Sequence, residues 1–220
     1  MSRRLVAEAL GTLLLLVAVV GSGIMAERLA TGNMAVALLA NALVTGAALV
    51  VLITVFGPLS GAHFNPCVSL YAALRGDLSW RQAVLYAATQ FVAAICGVWL
   101  THVMFAMPML EISTHLRDGP SQWLAEVVAT FGLLLTIAGA LRFKPDSTPM
   151  LVGLYITGAY WFTASTSFAN PAVTVARMLT DSFSGIAPTS APGFIAAQLL
   201  GTLLAAGILP WLFKPAAAQN

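Results

Sequence analysis

Two short segments constrain this chain more than any other feature. Asn65 to Arg75 (NPCVSLYAALR) and Asn170 to Leu179 (NPAVTVARML) both open on Asn-Pro and continue apolar. Asn is a favoured helix N-cap, because its side-chain oxygen accepts an orphaned backbone N–H, and proline suits the first helical position. Each segment is therefore predicted to be a short helix. About ten residues rise roughly 15 Å, half the hydrocarbon thickness of a bilayer. Neither helix spans a membrane alone, but two placed end to end do.

A membrane is the setting that composition demands. The 220 residues are 59% hydrophobic and 8% charged, against about 25% charged in a typical soluble domain. Ten Lys and Arg against eight Asp and Glu leave a net charge of +2, which offers no basic surface for nucleic acid and no acidic tail. The expected partners are lipid, further copies of the chain and small solutes. Apolar runs long enough to cross occur at about Leu5 to Ala26, Met34 to Phe56, Gln82 to Phe105, Trp123 to Leu141, Met150 to Ser165 and Phe194 to Phe213, the fifth being the shortest. The first begins with basic residues, as a secretory signal does, but it is too long and contains Glu8, so it reads as a retained span.

Cytoplasmic connections carry the excess of Lys and Arg. With both termini inside, Arg3, Arg4, Arg75, Arg81, Arg142, Lys144 and Lys214 are cytoplasmic and Arg28, Arg117 and Arg177 lie opposite. The short loops fit a bacterial inner membrane. Cys67 and Cys96 show neither disulfide nor metal spacing, so neither a disulfide nor a cofactor is expected.

The chain is read as one channel domain, 1–220, made of two repeats at approximately 1–110 and 118–220. Ala7-Glu8-Ala9-Leu10-Gly11-Thr12 is echoed by Ala125-Glu126-Val127-Val128-Ala129-Thr130, Asn65-Pro66 by Asn170-Pro171, and Gln90 by Gln198. Three spans, an odd number, separate the Asn-Pro segments, so the second repeat is inserted upside down. The half-helices then enter from opposite faces with their N-termini meeting near the midplane, which puts two positive dipole ends and two Asn amides at one point.

Ser60-Gly61-Ala62-His63-Phe64-Asn65-Pro66-Cys67-Val68 resembles the first signature loop of the aquaporin, or major intrinsic protein, family, and Phe168-Ala169-Asn170-Pro171-Ala172-Val173 resembles the second. The resemblance extends over nearly the whole chain through the span order and the Glu8/Glu126 and Gln90/Gln198 pairs. It implies an all-α membrane fold of six tilted helices and two re-entrant half-helices, with one pore per subunit in a homotetramer. It also implies that backbone carbonyls from Gly61, Ala62, His63 and Phe64, and from Thr166, Ser167, Phe168 and Ala169, line the path as acceptors. Asn65 and Asn170 would donate to passing oxygens. Irregular backbone at this depth is tolerated where it faces a water-filled cavity, and the positive dipole ends oppose cations.

Two departures from the family pattern bear on the solute. Where most members carry arginine after the second Asn-Pro-Ala, this chain has Val173, which removes five fixed donors and a charge from the outer constriction. A gap-free count back from the motifs puts the remaining filter positions at Thr45, Gly158 and Ser167, a wide ring that would admit glycerol or a neutral trihydroxy metalloid such as arsenite. This pattern resembles bacterial aquaglyceroporins associated with arsenic-resistance operons. Alternatively, the arginine has moved to Arg177, one turn along on roughly the same face, which would leave a narrower, water-selective pore. The second departure is Cys67 in place of the alanine of the first motif. It either packs as a small hydrophobe or presents a thiol to the pore.

Glu8 and Glu126, ionisable groups at membrane depth, are candidates for a proton relay or for acceptors of the re-entrant loops' N–H groups, and the repeat symmetry favours the second. His63 is expected to anchor its loop, and His102 and His115 to be surface residues. Gly46, Gly97, Gly132 and Gly201 allow close helix approach, while Trp80, Trp123 and Trp211 anchor span ends. No nucleophile has a placed base and no nucleotide-binding glycine signature is present, so an enzyme is not expected. A proton-coupled small-solute transporter of the same inverted plan is the other transport class, and a structural membrane protein the third.

Overall fold

The computed structural model describes Met1–Lys214. Among these residues it contains eight α-helices: α1 (Ser2–Leu29), α2 (Met34–Ser60), α3 (Pro66–Leu74), α4 (Trp80–Met104), α5 (Pro120–Phe143), α6 (Thr148–Phe162), α7 (Pro171–Arg177) and α8 (Ala191–Leu212). Five of them, α1, α2, α4, α5 and α8, are long and apolar enough to cross a membrane. The fifth expected span, Met150 to Ser165, is α6, and it is the shortest of the six. Helix α6 has 15 residues and stops at Phe162, a rise of roughly 22 Å. A 3₁₀ turn, Pro145–Ser147, leads into it, and after Phe162 the chain bends at Thr163 and turns through Ala164 and Ser165.

Helix α1 packs on α2 and α4, and α5 on α6 and α8, so the two repeats have the same internal plan. Close crossings explain the embedded glycines. A Cβ on Gly97 would lie 2.5 Å from the Leu13 carbonyl oxygen where α4 crosses α1, and one on Gly201 would lie 2.7 Å from that of Val127 where α8 crosses α5. Backbones this close suit a bilayer, where packing rather than a hydrophobic driving force holds helices together. Large apolar side chains such as Val51, Val84, Val92, Leu154 and Leu203 point outward, as lipid contact requires.

Candidate functional site

The short helices α3 and α7 form as their sequences dictate. Asn65 Oδ1 accepts from the Cys67 N–H, and Asn170 Oδ1 from those of Ala172 and Val173, with Pro66 and Pro171 in the first turns. The two caps also clasp each other. Asn65 Nδ2 donates to the Ala169 carbonyl at 2.7 Å, and Asn170 Nδ2 to the Phe64 carbonyl at 2.8 Å. Each amide thus spends one N–H on the opposite loop and keeps a second.

The loops before these caps are strained. Ala62, Phe64, Thr166, Ser167 and Ala169 have φ between 48° and 60°, a left-handed conformation that costs an L-residue roughly 1–2 kcal/mol. The two glutamates hold it. Glu8 accepts from the backbone N–H groups of His63 and Phe64, the Ser60 hydroxyl and Gln90 Nε2. Glu126 accepts from the N–H groups of Phe168 and Ala169 and from Gln198 Nε2. Both carboxylates are fully buried, and every one of these partners donates to them. His63 Nδ1 lies 3.0 Å from the Ser69 hydroxyl, and its ring packs edge-on against Tyr86.

A cavity of about 310 Å³ passes between the repeats, from Asp77 and Thr148 at one end to Tyr160 and Arg177 at the other. Its apolar wall is drawn symmetrically: Leu15 and Val19 of α1 stand at the same offsets from Glu8 as Leu133 and Ile137 of α5 do from Glu126. Asn65 and Asn170 both line it, as do Gly61, Ala62, His63, Phe64, Ser167 and Phe168; Thr166 and Ala169 are not on its wall.

The anticipated ring is only partly assembled. Thr45, Ser167 and Val173 line the cavity, but Gly158 does not; a Cβ there would meet only the Phe162 ring, at 3.7 Å. The position on α6 is held instead by Tyr160, on the helical face of Val152 and Ile156. The Tyr160 and Thr45 hydroxyls are 3.2 Å apart. The Ser167 hydroxyl is buried without a protein partner.

Arg177, one turn beyond Val173, also lines the cavity. Its guanidinium carbon stands 3.5 Å from the Phe168 ring centroid, and its Nε donates to the Ser184 carbonyl. Arg117, read from sequence only as a loop charge, stacks on the same ring at 5.3 Å. Cys67 is fully buried and off the cavity wall. His102 is likewise fully buried, with Nε2 2.9 Å from the Thr180 hydroxyl, which corrects its reading as a surface residue. The loop that caps the path hides it, and span counting does not place that loop. Among the described residues no cluster of His, Cys, Asp or Glu is arranged to hold a metal.

An inverted pair of half-helices capped by Asn, enclosing a narrow path with apolar walls and a few hydroxyl and amide groups, defines a multi-pass membrane channel for small neutral solutes. The family model "Major intrinsic protein" matches residues 1–167 and 145–220. Over 216 residues the chain is 57% identical to aquaglyceroporin AqpS of Rhizobium meliloti (strain 1021), covering 98% of this chain and 92% of that protein. It is 29% identical over 174 residues to a glycerol uptake facilitator protein of Streptococcus pneumoniae (strain ATCC BAA-255 / R6), covering 72% and 74%. The crystal structure of the aquaglyceroporin from Plasmodium falciparum superposes with a TM-score of 0.73 at 22% identity, covering 98% and 99% of the two chains, and shares the fold. The chain belongs to the major intrinsic protein family.

Proposed function

We propose that this channel passively conducts solutes larger than water, of the glycerol-like polyol and neutral trihydroxy metalloid (arsenite) type, with water as a further permeant. The observation that carries this reading is the ring of Thr45, Tyr160, Ser167 and Val173. It contains three hydroxyls and one apolar side chain and no charge, and its Ser167 hydroxyl has no protein partner. The similarity to an aquaglyceroporin and to a glycerol facilitator supports the same class of solute.

In this reading the filter is that ring, with Val173 in the arginine position and Tyr160 in place of Gly158. Carbonyls of the two re-entrant loops supply acceptors along the path, and Glu8 and Glu126 support those loops and carry no protons. The whole of 1–220 works as one channel domain without a cofactor and without enzymatic activity, in a homotetramer. Both termini lie in the cytoplasm of a bacterial inner membrane, which the seven-to-three distribution of Lys and Arg supports.

Stopped-flow light scattering on proteoliposomes, comparing water, glycerol and arsenite for wild type and Val173→Arg, tests the proposal. Wild type passes all three and the substitution suppresses the larger two while sparing water. Flux of water alone in the wild type would assign the filter to Arg177 and make the protein a water channel. Glycerol flux that collapses with an uncoupler would instead indicate a coupled transporter.

A further inference from the structure

Arg177 is a buried cation without a counter-charge. It is 2% exposed, and no ion pair among the described residues includes it or Arg117. A guanidinium carries five N–H donors in a fixed fork. Only the Nε of Arg177 is committed, to the Ser184 carbonyl, which leaves the four N–H groups of its two terminal nitrogens without a protein acceptor. The Phe168 face 3.5 Å away offers a cation–π contact but no lone pair for these groups. Arg117 adds a second positive charge on the same ring, with its Nε given to Gly185 and an Nη2 to Phe183. Neither terminal nitrogen is among the sealed polar atoms of the described residues, so the fork opens on the path, and an anion bound there would offset two positive charges held on one ring.

The space for one is adjacent. Arg177 lies on the cavity wall with Tyr160 and Ser167. We infer that the Arg177 end of the path is a binding site for a small monovalent anion. The free fork of Arg177 is its principal ligand, and Arg117, on the same Phe168 ring, is a supporting charge. A planar oxyanion suits this site, because a guanidinium binds two of its oxygens side by side. An anion held there occupies the mouth through which a neutral solute must pass, so it slows solute flux by competition. The competition rests on this cavity being the solute route; the binding does not.

Nitrate is the probe, exchanged against gluconate at constant ionic strength so that only the fit of the anion changes. In detergent, nitrate raises the melting temperature of the wild-type protein saturably, and in proteoliposomes it lowers glycerol flux over the same concentration range. Arg177→Gln raises the half-effective nitrate concentration in both measurements at least about tenfold, equivalent to about 1.4 kcal/mol of binding. Arg117→Gln raises it less. If Arg177→Gln does not fold, Arg177→Lys, which keeps the charge and loses the fork, carries the same test and weakens nitrate. The inference is overturned if nitrate leaves the wild-type melting temperature where gluconate does, or if the substituted proteins respond to nitrate as the wild type does. A nitrate-dependent melting temperature in a protein that passes no glycerol overturns the proposed solute class and leaves the anion site standing.

Discussion

The hydroxyls of Thr45 and Tyr160 sit 3.2 Å apart, so α2 and α6, from opposite repeats, share a hydrogen bond at the wall of the path in which either group can donate. Interhelical bonds of this kind in membranes are worth about 0.6 kcal/mol on average. Tyr160→Phe should therefore leave the melting temperature within a degree or two of wild type while keeping the ring's bulk. Tyr160→Ala removes that bulk, and flux of a four-carbon polyol relative to glycerol should rise roughly tenfold, about 1.4 kcal/mol off its barrier. An unchanged ratio in proteoliposomes would remove Tyr160 from the filter.

Glu126 accepts two backbone N–H groups and the Gln198 amide where lipid and core offer no alternative acceptor. Each buried donor left without a partner costs about 1–3 kcal/mol. Glu126→Ala should abolish both flux and a cooperative melting transition. Glu126→Gln, which keeps one acceptor oxygen, should retain fold and part of the flux. Glu8→Gln should behave alike, because Glu8 makes the equivalent bonds to His63 and Phe64. If instead wild-type flux responds to a pH gradient and Glu126→Gln folds normally but abolishes that response, the glutamates carry protons.

Much of this arrangement was legible because the motifs carry their own geometry. Asn65 and Asn170 define caps, proline fixes the first turns, and the registers of Thr45, Ser167 and Val173 follow because few residues separate them from a cap or the count along α2 meets no gap. Gly158 failed for the opposite reason. The stretch from α6 to Asn170 includes a turn over Thr163 to Thr166 and left-handed residues at Thr166, Ser167 and Ala169, and a gap-free count cannot see where the helix ends within it. Tyr160 emerges only when the face of Val152 and Ile156 is followed on α6 itself. Burial of His102 and the stacking of Arg117 on Phe168 depend on loop folding, which leaves no periodic signal.

The glycines at the helix crossings give a matched test. Ala at Gly201 would bring a Cβ to 2.7 Å from the Val127 carbonyl oxygen, and at Gly97 to 2.5 Å from that of Leu13, whereas nothing lies within 4 Å of a Cβ at Gly207. Overpacking typically costs 1–3 kcal/mol. Gly97→Ala and Gly201→Ala should both lower the melting temperature in detergent, and Gly207→Ala should not. A loss of stability as large for Gly207→Ala would detach the effect from these crossings.

At the loop face, the Thr114 backbone N–H holds the Asp181 carboxyl below its ordinary range against the opposing effect of burial, with lesser help from the Thr114 hydroxyl and nearby His115. A carboxyl whose folded pKa is depressed contributes stability above its unfolded value, about 3.9, and loses it as pH falls through the folded value. The contact between these two loops should thus be constant at neutral pH and loosen below about pH 4. Asp181→Asn should speed hydrogen exchange at the Thr114 amide at pH 7, and the difference from wild type should shrink in acid. Equal exchange at pH 7 would show that the carboxylate does not hold the loop.

Cys67 follows Pro66 in the first motif, yet its side chain is fully buried beside Thr202 of α8 and off the cavity wall. Thiol chemistry needs an accessible thiolate, and a thiol in apolar surroundings is inert. A membrane-impermeant thiol reagent should therefore leave wild-type glycerol flux unchanged, and Cys67→Ser should pass glycerol at a similar rate. Val173→Cys places a thiol on the wall of the path, where Val173 lines the cavity, and should make flux sensitive to the same reagent. Block of the wild type that Cys67→Ser abolishes would turn the Cys67 side chain toward the pore and overturn this packing.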